Sequence, residues 1–79
     1  MKVHGPDQRA WSITRRPERP GPAGRLLPGP WVVVATAEDD EVRQWSVSSR
    51  RAAAGTVTEV ALAIRTGAEG PPGEIPPEE

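Results

Sequence analysis

Arginines are the most prominent residues of this chain that could carry chemistry. Guanidinium groups bind phosphate through paired hydrogen bonds, and an aromatic ring can stack on a nucleobase. Trp11 is followed by Arg15, Arg16, Arg19 and Arg25. Arg15, Arg16 and Arg19 are therefore candidates for a phosphate contact. The favoured interpretation is that these cations only keep one end of the chain solvated.

A run of four carboxylates, Glu38-Asp39-Asp40-Glu41, is the second cluster of potentially reactive groups. Carboxylate oxygens are ligands for hard cations such as Ca²⁺. The run lacks the alternating spacing and the glycine of a calcium-binding loop, whereas aspartate is common in turns. We therefore expect a solvated hairpin tip and no metal site.

The residues needed for catalysis are scarce. The chain has no cysteine and a single histidine, His4, near the N-terminus. A thiolate nucleophile is thereby excluded, and a Ser-His-Asp arrangement would depend on His4 alone. Gly21, Gly24 and Gly29 lie among prolines and precede a predicted strand, whereas a phosphate-binding loop precedes a helix. We expect a protein that is not an enzyme and binds no cofactor.

Proline and glycine divide the chain. Ten prolines and eight glycines fall mostly in 17–30 and after residue 66, whereas 31–66 contains Gly55 and no proline. Apolar side chains must be gathered together to offset the entropy of ordering a chain. The pattern predicts one small domain over 1–67 with its core in 31–66. A Pro/Gly-rich loop over 17–30 and a disordered tail over 68–79 complete the organisation.

Three segments show the period of two that is typical of strands. Residues 9–15 alternate Trp11 and Ile13 with polar neighbours, and 31–37 and 42–48 are rich in valine. Such β-branched, alternating runs predict three strands. If the turn at 38–41 is a loop of two or four residues, Val34 lies opposite Trp45.

This register assigns side chains to the two faces of the predicted hairpin, because opposed residues of an antiparallel pair share a face. One face carries Val32, Val34, Trp45 and Val47. The other carries Trp31, Val33, Gln44 and Ser46.

After Ser49 the apolar period changes from two to that of a helix. An apolar stripe is formed by Val57, Val60, Ala61 and Ile64, and Gly67 occupies the position of a terminating glycine. Thr56 to Glu59 has the pattern of a capping box, but Ala52 to Ala54 favour a longer helix that begins near residue 53. The sequence therefore predicts an α+β fold, a three-stranded antiparallel sheet (β-β-β-α) with one C-terminal helix packed on one face.

The C-terminal half resembles a small uncharacterised protein family of high-GC actinobacteria. The shared pattern is Trp45-Ser-Val47, then Arg51-Ala52, and then Val57-Thr-Glu-Val-Ala61 followed by Ile64 and Gly67. Where the family pattern has a capping serine, this chain has Ala53. The resemblance implies the same β-β-β-α order. It implies no activity, because none is known for the family.

These expectations lead to a binding function. One helix covers one sheet face, which would leave Trp31, Val33, Gln44 and Ser46 as a candidate protein interface. We expect a protein-interaction or self-associating module that forms a dimer or binds another protein. The alternative is a nucleic-acid-binding accessory protein that uses the arginine-rich segment. No apolar run is long enough to span a membrane and no secretory signal is present, which predicts a cytoplasmic protein.

Overall fold

The computed structural model describes residues 1–18 and 30–75. A single antiparallel sheet, with strands in chain order, is covered on one face by one helix. The elements are β1 (Lys2–His4), β2 (Ala10–Pro17), β3 (Trp31–Ala37), β4 (Val42–Val47), α1 (Arg50–Thr66) and β5 (Glu74–Ile75). The α+β class with one helix on an antiparallel sheet is confirmed.

The three-stranded sheet is wrong in number, because the described residues form five strands. β3 has the predicted bounds, and β2 and β4 differ from the predicted strands by a few terminal residues. β1 and β5 are edge strands of three and two residues. Strands this short show no alternation that could reveal them in a sequence.

The hairpin between β3 and β4 has a register one residue away from the predicted one. Val33, and not Val34, lies opposite Trp45. The reason is the turn, where Ala37 and Glu41 are joined by a hydrogen bond around three residues and Asp40 adopts a left-handed φ of 70°. A three-residue hairpin loop commonly ends with such a left-handed residue. Because side chains alternate, the shift moves every β3 side chain to the opposite face relative to β4, so that Trp31 and Val33 share a face with Trp45.

The core lies between α1 and one sheet face. Trp45, Val33 and Val60 are its largest fully buried side chains. Trp31 is only 8% exposed and Val33 is completely buried, so the expected exposure of these two residues is wrong. Gln44 and Ser46 lie on the opposite sheet face, as β4 alternates about Trp45.

The helix begins earlier than predicted and ends where predicted. Ser49 precedes its first turn, and the Ser49 hydroxyl accepts a hydrogen bond of 3.1 Å from the Ala52 amide. This cap satisfies an amide that the helix itself leaves unpaired. α1 therefore begins at Arg50, before the expected start near residue 53. Gly67 ends the helix with a φ of 72°, a backbone conformation that favours glycine.

Residues 68–75 return from α1 to the far edge of the sheet, and we call them the C-terminal strap. The Trp45 indole N–H donates to the Pro71 carbonyl at 3.1 Å, and the Ser46 amide donates to the Gly73 carbonyl at 3.0 Å. β5 then pairs with β4. The predicted disordered tail is therefore not confirmed over 68–75, whereas 76–79 lie outside the described residues.

Candidate interaction surface

The sheet face away from α1, which we call the open face, has no helix or strand of the described residues packed on it. Its central row crosses four strands through Thr14, Val34, Gln44 and Ile75. Ile75 is 39% exposed, and Val34 and Gln44 are half-buried. The row thus presents apolar and uncharged polar side chains together, which is the character of a protein-binding surface.

The rows on either side of this centre continue the same chemistry. One row runs through Lys2, Ser12, Thr36 and Val42, of which Val42 is 45% exposed. The short hydroxyl side chains of this row project little from the sheet, so that a partner could approach the backbone closely. Strand alternation places Val32, with Arg16 and Ser46 as neighbours, in the remaining row, where Val32 is only 4% exposed and adds little to the surface.

The charged strand residues of the open face have one sign. Lys2 and Arg16 lie on it and are exposed, and Glu38 of the turn after β3 lines a pocket together with Lys2. Glu74 is the one carboxylate within the described strands, and it lies on the helix side, where it pairs with Arg43 at 2.8 Å. The strand residues of the open face therefore carry cations and no anion.

The predicted phosphate contact is not assembled by the described residues. Arg15 and Arg16 are neighbours in β2, so their side chains point to opposite faces of the sheet. Trp11, the aromatic ring expected to stack on a base, is 5% exposed beneath α1. Arg19 lies outside the described residues. Strand alternation alone would have separated Arg15 from Arg16.

The acidic hairpin tip is held by Arg9, a residue that no sequence pattern places near this turn. The Arg9 guanidinium reaches Asp7 at 2.8 Å, Asp39 at 2.9 Å and Glu41 at 3.3 Å. It also lies 5.1 Å from the centre of the Trp11 ring. Arg9 therefore joins the turn before β2 to the turn after β3, and we call this arrangement the Arg9 clip.

No group of three or more histidine, aspartate or glutamate residues that could hold a metal ion occurs in 1–18 and 30–75. Within the clip the guanidinium lies among the carboxylates. Exposed ion pairs of this kind each contribute little to stability, typically about 0–1 kcal/mol.

The Arg9 clip lowers the pKa of two aspartates, Asp7 and Asp39. Hydrogen bonds from the Arg9 backbone amide and then from its side chain lower the pKa of Asp7. The Arg9 side chain is also the main cause of the lowered pKa of Asp39, followed by the Glu41 amide. Both carboxyl groups thus favour the charged form in the folded state more than in the unfolded state.

A lowered carboxyl pKa stabilises the fold above the unfolded value and loses this effect as pH falls through the folded value. We therefore expect stability to fall with pH below about pH 4, the ordinary aspartate pKa. In Arg9→Gln this fall should be shallower, as measured by urea midpoints between acidic and neutral pH. If the urea midpoints of the wild type and Arg9→Gln fall equally with pH, the pH dependence does not come from the Arg9 clip. Arg51→Gln, on the exposed side of α1, is the matched control.

No protein-family model matches the chain, and no curated protein or solved structure shows significant similarity to it. The resemblance to the actinobacterial family remains a prediction. Among the described residues, no helix is both long enough and apolar enough to cross a membrane.

Proposed function

We propose that this chain is a non-enzymatic protein-interaction module that uses the open face, with a second copy of the chain as its simplest partner. The observation that supports the proposal is the uneven covering of the sheet. α1 buries one face, and the other face presents Val34, Gln44 and Ile75 in one row.

The distribution of charge on the open face is compatible with self-association. Its cations lie on β1 and β2, whereas the β4 side carries Val42, Gln44 and Ser46. A two-fold axis parallel to the strands would lay the basic half of one copy over the uncharged half of the other. Like charges would then be kept apart, and Val34 would be buried at the centre.

The test is the mass in solution of the wild type and of Val34→Glu. We expect the wild type to dimerise with increasing concentration and Val34→Glu to remain a monomer, because a carboxylate would be buried without a partner. Leu62→Glu is the matched control, since Leu62 is 60% exposed on α1 and remote from the open face. A wild type that is monomeric at all concentrations, or Val34→Glu that dimerises normally, would contradict the proposal.

Nucleic-acid binding is the second candidate, and the lack of carboxylates among the open-face strand residues favours it. It predicts binding that weakens steeply with salt and with Arg16→Ser. Arg15→Ser is the internal control, because Arg15 lies on the other face of β2. No binding of a DNA or RNA oligonucleotide at low salt, or equal losses for both variants, would contradict a nucleic-acid interface on the open face.

A further inference from the structure

The C-terminal strap covers the centre of the core but is attached to a single strand. Trp45, one of the largest side chains of the core, is completely buried beneath it. Among the helices and strands of the described residues, β5 contacts β4 alone. Within 68–75 only Gly70 and Pro71 are partly buried, and the other residues are exposed. The strap therefore shields the core without contributing a fully buried side chain to it.

Three residues of β4 hold the strap, and we call Arg43, Trp45 and Ser46 the strap site. The Arg43 guanidinium donates two hydrogen bonds to the Glu74 carboxylate, at 2.8 and 3.1 Å. The Trp45 indole N–H and the Ser46 amide donate to two main-chain carbonyls of the strap. In each of these bonds the donor belongs to the strap site and the acceptor to the strap. Another segment that presents the same acceptors in the same order would satisfy them equally.

The backbone path of the strap restricts which segments fit the strap site. A Cβ at Gly70 would lie 2.7 Å from the Trp45 ring, and a Cβ at Gly73 would lie 3.1 Å from the Ser46 carbonyl oxygen. Gly73 also has a φ of 97°, which favours glycine. Between the two glycines, Pro71 presents its carbonyl to the indole with a fixed φ, which lowers the entropy cost of binding. The site therefore selects the pattern Gly-Pro-x-Gly followed by a carboxylate.

One segment of the sequence carries this pattern in full. Gly-Pro-x-Gly occurs at 70–73, before Glu74, and at 21–24, before Arg25. At the strap site an arginine in that position would meet the like charge of Arg43, whereas a glutamate meets the opposite charge. The strap is thus the segment of this chain whose chemistry matches the strap site, and every copy of the chain carries one.

We propose that the strap site accepts the strap of a second copy of this chain, so that two copies exchange their C-terminal segments. The exchanged form reproduces every hydrogen bond of the strap, so its cost is mainly that of bringing two copies together. A short, exposed edge strand opens more readily than the core, and the uncovered Trp45 ring favours being covered again. The exchange does not use the open face and does not depend on the function proposed above.

The first test follows a fluorescein-labelled peptide of residues 68–75 as it binds the full chain, measured by fluorescence anisotropy. The peptide must replace the chain's own strap, so a variant with a loosened strap binds it more tightly. We expect the Gly70→Ala protein to bind the peptide about tenfold more tightly than the wild type does. The same substitution in the peptide should weaken binding about tenfold. The Gly55→Ala protein is the matched control and should bind like the wild type.

A second variant loosens the strap at an exposed residue, so that folding is not at risk. Glu74→Gln removes the ion pair with Arg43 within the chain, and the peptide restores it. We expect this protein to bind the peptide about threefold more tightly than the wild type does. A peptide with Glu74→Arg should not bind. Equal binding of this peptide and the natural one, or no gain in either the Gly70→Ala or the Glu74→Gln protein, would overturn the proposal.

Exchange between whole chains is measured with Val34→Glu present throughout, which removes association through the open face. Gly70→Ala supplies a chain with a defective strap and an intact strap site. Arg43→Gln supplies a chain with an intact strap and a defective strap site. We expect sedimentation to show more dimer in the mixture than in either protein alone, because only the mixture unites an intact strap with an intact site. Equal dimer fractions in all three samples would overturn exchange between copies.

Discussion

Trp45→Ala leaves most of the protein unfolded at 25 °C; this is the largest effect we expect from any single substitution. The Trp45 side chain is completely buried between α1, the sheet and the C-terminal strap. Truncating a buried tryptophan to alanine typically destabilises a protein by about 3–5 kcal/mol. A single small core rarely supplies more than about 3–5 kcal/mol in total. Circular dichroism and urea titration measure the outcome.

Trp45→Phe is the matched variant for the same position. It keeps an aromatic ring in the core and removes the hydrogen bond to the Pro71 carbonyl, so we expect a folded protein that is less stable by about 1–2 kcal/mol. A Trp45→Ala protein with a wild-type urea midpoint would show that the strap and α1 close over the space at little cost. The prediction that the core depends on the Trp45 ring would then be wrong.

Gly70→Ala is expected to displace the C-terminal strap from the Trp45 ring. A Cβ at this position would lie 2.7 Å from Cζ2 of the Trp45 ring, closer than such atoms approach in proteins. The ring is enclosed and the strap is held by a two-residue strand, so the strap must move. Overpacking of this kind costs about 1–3 kcal/mol. Hydrogen exchange of the Ser46 amide, which bonds Gly73, should quicken with little change at Ala53.

Gly55→Ala controls for the loss of a glycine itself. Gly55 lies within α1, and a Cβ there would meet nothing within 4 Å. Alanine is the better helix former by about 1 kcal/mol, so this variant should raise the urea midpoint while Gly70→Ala lowers it. Equal shifts for the two variants would contradict the close packing of Gly70 against Trp45.

Where periodicity was strong, the sequence predicted the fold well. The valines of 31–37 indicated β3, and the stripe from Val57 to Ile64 with Gly67 behind it indicated α1 and its end. The first residue of α1 was harder to predict, because Thr56 to Glu59 fits a capping box as well as Ser49 fits an N-cap. The choice depends on whether residues 50–55 are helical, and packing of Ala53 into the core favours the longer helix.

The candidate site was the less predictable part, and one residue is the reason. The left-handed Asp40 makes the β3–β4 loop three residues long, and this turns Trp31 and Val33 toward α1. Nothing in four adjacent carboxylates distinguishes a loop of three residues from one of two or four. The partners of Arg9 are equally hidden, since they lie on two turns that are distant in sequence.

The order in which the elements occur along the chain has a consequence for synthesis on the ribosome. The strands β1 to β4 leave the ribosome before α1, and the strap follows α1. Until then the growing chain exposes a sheet whose three tryptophans face the side that α1 and the strap will cover. A nascent chain in this state is open to aggregation and to chaperones. A translation stop before residue 68 would therefore release a protein whose central tryptophan has lost its last covering segment.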